Sequence, residues 1–147
     1  MSDQAPPLRT QRPEFRNINA LKDLPTYRMP LAAWVSILHR VSGALMFLLL
    51  PFIIWLFDTS LTSEYSFARF SAAFSVGIGF APGVLIKLVT LALIWAMLHH
   101  IIAGLRHLWM DCTHAVSKEF GRRSAAVTLV LSLGLTAVLA AKLFGLY

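Results

Sequence analysis

Two short stretches hold the side chains best able to do chemistry. The first is "SILHRVSG", residues 36–43, which sets Ser36, His39 and Arg40 inside the apolar run "MPLAAWVSILHRVSGALMFLLLPFIIWLF". On a helix, Ser36 and Arg40 lie four residues and about 400° apart, so they share nearly one face, with His39 on its flank and Gly43 three residues further on. An arginine deep in a bilayer costs about 2.5–3.5 kcal/mol on insertion scales unless it snorkels or meets a partner. One reading is a snorkelling Arg40 beside a His39 that bonds a backbone carbonyl. The other is a site. A hydroxyl donor, a fixed cation and a titratable imidazole suit a small oxygen-bearing ligand that gains negative charge and protons, as a quinone does.

The second stretch is "LHHIIAGLRHLWMD", residues 98–111. His100 and His107 are seven residues and about 700° apart and point the same way, with Gly104 between them; His99 and Arg106 repeat the relation on a face rotated by about 100°. A glycine between two such residues lets a flat group or another helix come close. Haem suits the pattern. Its iron takes a neutral imidazole, its ring an apolar slot, and its propionates cations or imidazoles nearer water. His100 would then be the ligand, with Arg106 and His107 at propionate height. The plainer reading places these histidines at the membrane interface, beside Trp109 and Asp111. Against it, His100 lies eleven residues before Asp111, about 16 Å along a helix. Spacing alone leaves the choice between the neighbours His99 and His100 open. Unaided, these residues also suggest pairing His39 with His100 as a bis-histidine haem site within one chain.

The elements that position these residues follow from composition. Of the 147 residues, 57% are hydrophobic and only 14% charged, with mean hydropathy +0.67, against roughly 25% charged in soluble domains. The chain reads as an all-α integral membrane protein. Three runs, 31–57, 83–110 and 124–145, each exceed the roughly 20 helical residues that span a bilayer. Pro25 and Pro30 frame the start of the first, "DTS" ends it and Pro51 is positioned to kink it. "GIGFAPG" breaks the chain before the second span, and "DCTHAVSKEFGRR" supplies the turn before the third. Lys and Arg total 13 against 7 Asp and Glu. These cations lie between apolar runs rather than along one face, which speaks for a topology signal and against nucleic acid as a partner. Cys112 is the single cysteine, so no internal disulfide forms and no metal-ligand spacing arises.

The first 28 residues are polar and basic, unlike a cleaved signal peptide, so the first span is expected to be an uncleaved anchor. Arg9, Arg12, Arg16, Lys22 and Arg28 precede it, and Lys118, Arg122 and Arg123 lie between the second and third spans; the intervening loop has only Arg69. This bias predicts three transmembrane helices with a cytoplasmic N-terminus. Residues 1–30 form a cytoplasmic segment and 31–147 the membrane domain. Both polar clusters then fall on the cytoplasmic side. In the third span Ser124, Thr128, Ser132 and Thr136 make a stripe of small polar groups, read as a helix-packing face. No nucleophile–base pair, phosphate-binding glycine loop or paired carboxylates occur, so the chain by itself oxidises no organic substrate.

With "RPEFRNI" and "YRMPLAAWVSILHRVSG" together with "LHHIIAGLRHLWMD", the chain resembles the cytochrome b membrane-anchor subunit of bacterial succinate dehydrogenase, respiratory complex II, over nearly its whole length. The resemblance implies that His100 is an axial ligand of haem b, that Ser36 and Arg40 lie at the ubiquinone site, and that His39, Arg106 and His107 lie around the haem propionates. It implies a second three-helix anchor subunit that supplies the other axial histidine and part of the quinone pocket. That corrects the single-chain bis-histidine pairing. It also implies an iron-sulfur subunit and a flavoprotein on the cytoplasmic face, where succinate is oxidised, and the bacterial inner membrane as location. Two other classes remain: a haem-free structural anchor, and a small transporter or proton-conducting subunit. The last is disfavoured because no acidic residue lies inside any span.

Overall fold

The computed structural model describes residues 19, 21–23 and 26–146. Arg9, Arg12, Arg16 and Pro25, and with them most of the 1–30 segment, lie outside the described residues. Five helices and one small hairpin follow in the order α1 (Leu31–Leu48), α2 (Leu50–Leu61), α3 (Glu64–Ser75), β1 (Gly77–Ile78), β2 (Ala81–Pro82), α4 (Gly83–Thr113) and α5 (Lys118–Leu143). Helices α1, α4 and α5 are each long and apolar enough to cross a membrane.

The first apolar run is divided into two helices. α1 begins after Pro30, whose extended backbone turns the chain into the helix, and stops at Leu49, which leaves helical geometry at φ −93° and ψ 9°. Pro51 sits in the first turn of α2. Its ring nitrogen carries no hydrogen and cannot donate back to the Phe47 carbonyl, so the helix restarts there.

Two elements of the connection between α2 and α4 are too short to carry a membrane-spanning apolar run and are found only in the structure. α3 is opened by a reciprocal cap: Ser66 N–H donates to Ser63 Oγ at 3.1 Å and Ser63 N–H to Ser66 Oγ at 2.9 Å, while Glu64 sits favourably at the positive end of the helix dipole. "GIGFAPG" forms an antiparallel hairpin, Gly77 opposite Pro82 and Ile78 opposite Ala81. Gly77 adopts φ 111°, open to glycine alone in practice. Gly83 then starts α4 against the carbonyls of Phe74 and Ser75, where a Cβ would lie 2.8 Å from either oxygen.

α4 is the central helix. Its 31 residues extend about 46 Å, well beyond a hydrocarbon core of about 30 Å. It ends at His114, in left-handed conformation at φ 53°. The turn is shorter than expected, because α5 starts six residues before Ser124. Ser117 caps its Phe120 N–H at 3.2 Å, Glu119 lies in its first turn, and an exposed Arg123–Glu119 pair spans one turn at 2.6 Å. The charges of "KEFGRR" thus belong to the helix.

Val35, Ala103 and Ala125 are fully buried where α1, α4 and α5 meet, with Ala32 and Leu129 packed around them. Small residues bring helix backbones close when dispersion and hydrogen bonds, rather than water exclusion, hold helices together. Replacing Gly77 by alanine puts a Cβ on the Ala81 carbonyl in left-handed backbone, a strain of about 1–3 kcal/mol. Thermal melting of the purified protein, followed by circular dichroism, should therefore show a larger loss for Gly77→Ala than for Gly79→Ala, where the added methyl meets open space.

Candidate functional site

The imidazoles gather where α1 and α4 cross. The His39 and His100 rings stack with centroids 4.1 Å apart and planes 15° from parallel, and His107 tilts against His39 at 5.4 Å. A glycine faces each ring, tightly at His100 and with ordinary contact to spare at His39. A Cβ on Gly43 would lie 3.0 Å from His100 Cε1, and one on Gly104 would lie 3.6 Å from His39 Nε2. Each helix therefore offers a glycine opposite the other's histidine.

The edge of the His100 ring is anchored to α1. Its Nδ1 lies 3.1 Å from the His39 carbonyl oxygen and 3.2 Å from Ser42 Oγ, while the Ser42 hydroxyl donates to that same carbonyl at 2.8 Å. The other nitrogen, Nε2, makes no hydrogen bond among the described residues and is not sealed from the surface. Axial imidazoles reach an iron edge-on from opposite sides of a macrocycle. Rings in face-to-face contact cannot do so, and the single-chain pairing of His39 with His100 is not what the structure shows.

The neighbouring His99 is spent elsewhere. It is fully buried towards α5, with Nδ1 3.2 Å from Ser132 Oγ and its ring stacked on Trp95 at 5.5 Å. The Val35 backbone is a polar neighbour of the ring on the α1 side, but Nε2 makes no hydrogen bond among the described residues. Adjacent residues on a helix are about 100° apart, so one histidine faces α5 and the other α1. Arg106 shares the His99 face. Its Nε donates to Ser124 Oγ at 2.9 Å and its Nη2 to the Gly121 carbonyl at 3.3 Å. Of the three residues expected around the propionates, His39 and His107 come together, and the Arg106 hydrogen bonds go to α5. The small polar stripe of α5 lies against α4, as its spacing suggests, and Ser124 and Ser132 also serve as partners for two α4 side chains.

Arg40 is exposed and Ser36 half-buried on α1. Sequence reasoning overlooked Ser42. Its signal was its place three residues after His39, from which a serine hydroxyl reaches back to a helix carbonyl. Among the described residues no cluster of three or more His, Cys, Asp or Glu side chains forms a metal cage.

Three apolar helices enclosing imidazoles, glycines and hydroxyls at the crossing of two of them define a multi-pass helical membrane protein with a polar site in its bundle. The chain belongs to the succinate dehydrogenase/fumarate reductase transmembrane subunit family, whose model matches residues 11–139. It is 30% identical over 102 residues to the succinate dehydrogenase cytochrome b556 subunit of Paracoccus denitrificans, covering 69% of this chain and 73% of that one. With the subunit of the same name from Coxiella burnetii it shares 35% identity over 110 residues, 75% and 83% of the two chains. A cytochrome b560 subunit from Reclinomonas americana is 29% identical over 96 residues, 65% of each. The likeness read from the sequence holds: the chain is a membrane-anchor subunit of a succinate dehydrogenase enzyme complex.

The packing role of the α4–α5 bonds is open to measurement. Ser132→Ala leaves His99 Nδ1 without its partner in a dry interface, where such bonds average about 0.6 kcal/mol and reach about 1.7. A drop in thermal midpoint is expected, with the optical properties of the assembled complex unchanged.

Proposed function

We propose that this chain, together with a second membrane-anchor subunit, holds haem b and forms part of the site at which ubiquinone is reduced with electrons from succinate. The observation that carries the reading is the setting of His100. A carbonyl oxygen 3.1 Å from Nδ1 selects the tautomer with its hydrogen there, which leaves the lone pair on the free Nε2. A neutral imidazole whose far N–H is bonded to a carbonyl is the usual form of a metal-ligating histidine. His100 would hold the iron from this chain, and the resemblance to the family implies that a second anchor subunit would supply a further histidine. Relatives that carry the name cytochrome b556 or b560 support a haem in this subunit.

When bound, the haem supplies a reversible one-electron couple. His39 and His107 would hold the propionates, and Arg106 would add positive charge near them while its hydrogen bonds tie α4 to α5. Ser36 donates to a quinone carbonyl oxygen; unlike Ser42 and Thr59, which bond back to their own helix, its hydroxyl is uncommitted among the described residues. Arg40 stabilises the negative charge that builds on the ring oxygens, in surroundings of low dielectric where a fixed cation is worth more than in water. Succinate is oxidised in the flavoprotein, and an iron-sulfur subunit passes the electrons on. The positive charges near both site-bearing helix ends support a reading with the N-terminus and the docking face on the cytoplasmic side, in the bacterial inner membrane.

Two variants test the reading. In a reduced-minus-oxidised optical spectrum of the purified complex, His100→Leu should abolish or displace the b-type signal with all subunits present; an unchanged signal would move the ligand to another residue. Arg40→Leu should reduce succinate–ubiquinone activity by roughly tenfold or more, a transition-state charge contact of at least about 1.4 kcal/mol, and leave dye reduction by succinate largely intact. Equal loss of both activities would point to failed assembly and would not support the site, whereas unchanged quinone activity would remove Arg40 from it.

A further inference from the structure

We propose that Ser42 is a positioning residue that fixes both the tautomer and the rotation of the His100 ring. Ser42 is fully buried at the α1–α4 crossing. Its Oγ, the His39 carbonyl oxygen and His100 Nδ1 form a closed triangle with sides of 2.8, 3.1 and 3.2 Å. The carbonyl has no hydrogen and only accepts. A serine three residues beyond a helical carbonyl donates its O–H back to it. With that hydrogen committed, Ser42 Oγ turns a lone pair to Nδ1, and the Nδ1–H then has two acceptors, one on the backbone and one on a side chain.

The opposite assignment, with Ser42 donating to a bare Nδ1, would set the nitrogen lone pair against the carbonyl oxygen at 3.1 Å. In an apolar interior that leaves a strong acceptor unpaired, where it costs most. Two acceptors on separate atoms also define an angle, which one carbonyl does not. Together with the His39 ring stacked at 4.1 Å, they hold the imidazole against rocking about its Cβ–Cγ bond. Ser42 thereby sets the direction of Nε2. For the haem this inference rests on the reading of His100 as axial ligand; for the tautomer it does not.

Acceptors on Nδ1–H make an axial imidazole more electron-rich and favour ferric iron. In the purified complex, Ser42→Ala should retain haem through the remaining carbonyl, raise its midpoint potential and shift its low-spin ferric electron paramagnetic resonance signal. Ser42→Thr, which keeps the hydroxyl, should restore both. An unmoved potential and signal in Ser42→Ala, or equal displacement in Ser42→Thr, overturns the proposal. If Ser42→Ala does not assemble, Ser42→Cys, close in volume and a weaker acceptor, is read the same way: a potential raised supports the role and one unmoved sinks it. Should His100→Leu keep the haem signal, the ligand reading falls separately. Nitrogen-15 resonances of the histidine-labelled complex then decide Ser42 alone: an Nδ1–H tautomer at His100 that becomes a mixture in Ser42→Ala supports it, and one that Ser42→Ala leaves unchanged overturns it.

Discussion

A polar side chain placed in hydrocarbon must find its hydrogen-bond partners inside the protein, because neither lipid nor water supplies them there. α4 meets most of that requirement, on two faces at once. Towards α5, His99 Nδ1 and Arg106 are met by Ser132, Ser124 and the Gly121 carbonyl, while the buried His99 Nε2 is left without a hydrogen bond among the described residues. Towards α1, His100 is satisfied by the His39 carbonyl and Ser42. The rotation of α4 within the bundle is fixed from both sides. A turn of the helix by one residue would exchange His99 for His100 and strand two buried polar groups.

The same arrangement divides the polar residues into those consumed by the fold and those left over. His99, Arg106, Ser124 and Ser132 bond one another or nearby backbone. His39, His107 and His100 Nε2 keep nitrogen capacity unspent among the described residues, as does the buried His99 Nε2, and Arg40 remains exposed. Chemistry in the membrane needs groups of the second kind held still by groups of the first. The His100 ring shows both within one residue: Nδ1 is bonded into the fold and Nε2 is left without a hydrogen bond among the described residues.

Glycine and alanine set how closely this can be built. Gly43 and Gly104 lie opposite His100 and His39, and Ala103 is buried between α1 and α4 beside Val35. Around this crossing the outward face stays apolar, with Val41, Ile101, Leu105 and Leu108 exposed. Such a surface is stable against lipid or another apolar helix and unstable in water. At the other end, Pro51, the capped α3 and the Gly77 hairpin turn the chain without adding polar groups to the bundle.

Hydropathy and helical period were enough to establish the membrane class, the three long helices and the two polar clusters, because the cost of burying polar groups in lipid leaves long apolar runs that one dimension records. The stripe of Ser124, Thr128 and Ser132 was legible as a packing face for the same reason. α3 and the hairpin were not, since a short capped helix and a two-residue strand pair have no apolar run to announce them. The start of α5 at Lys118 was hidden because charge was taken for turn, although its Ser117 cap was present. Which of two adjacent histidines faces which helix, and that Arg106 bonds α5, are settled only by the neighbours of α4. Spacing assigns residues to a face; tertiary packing alone decides what that face meets.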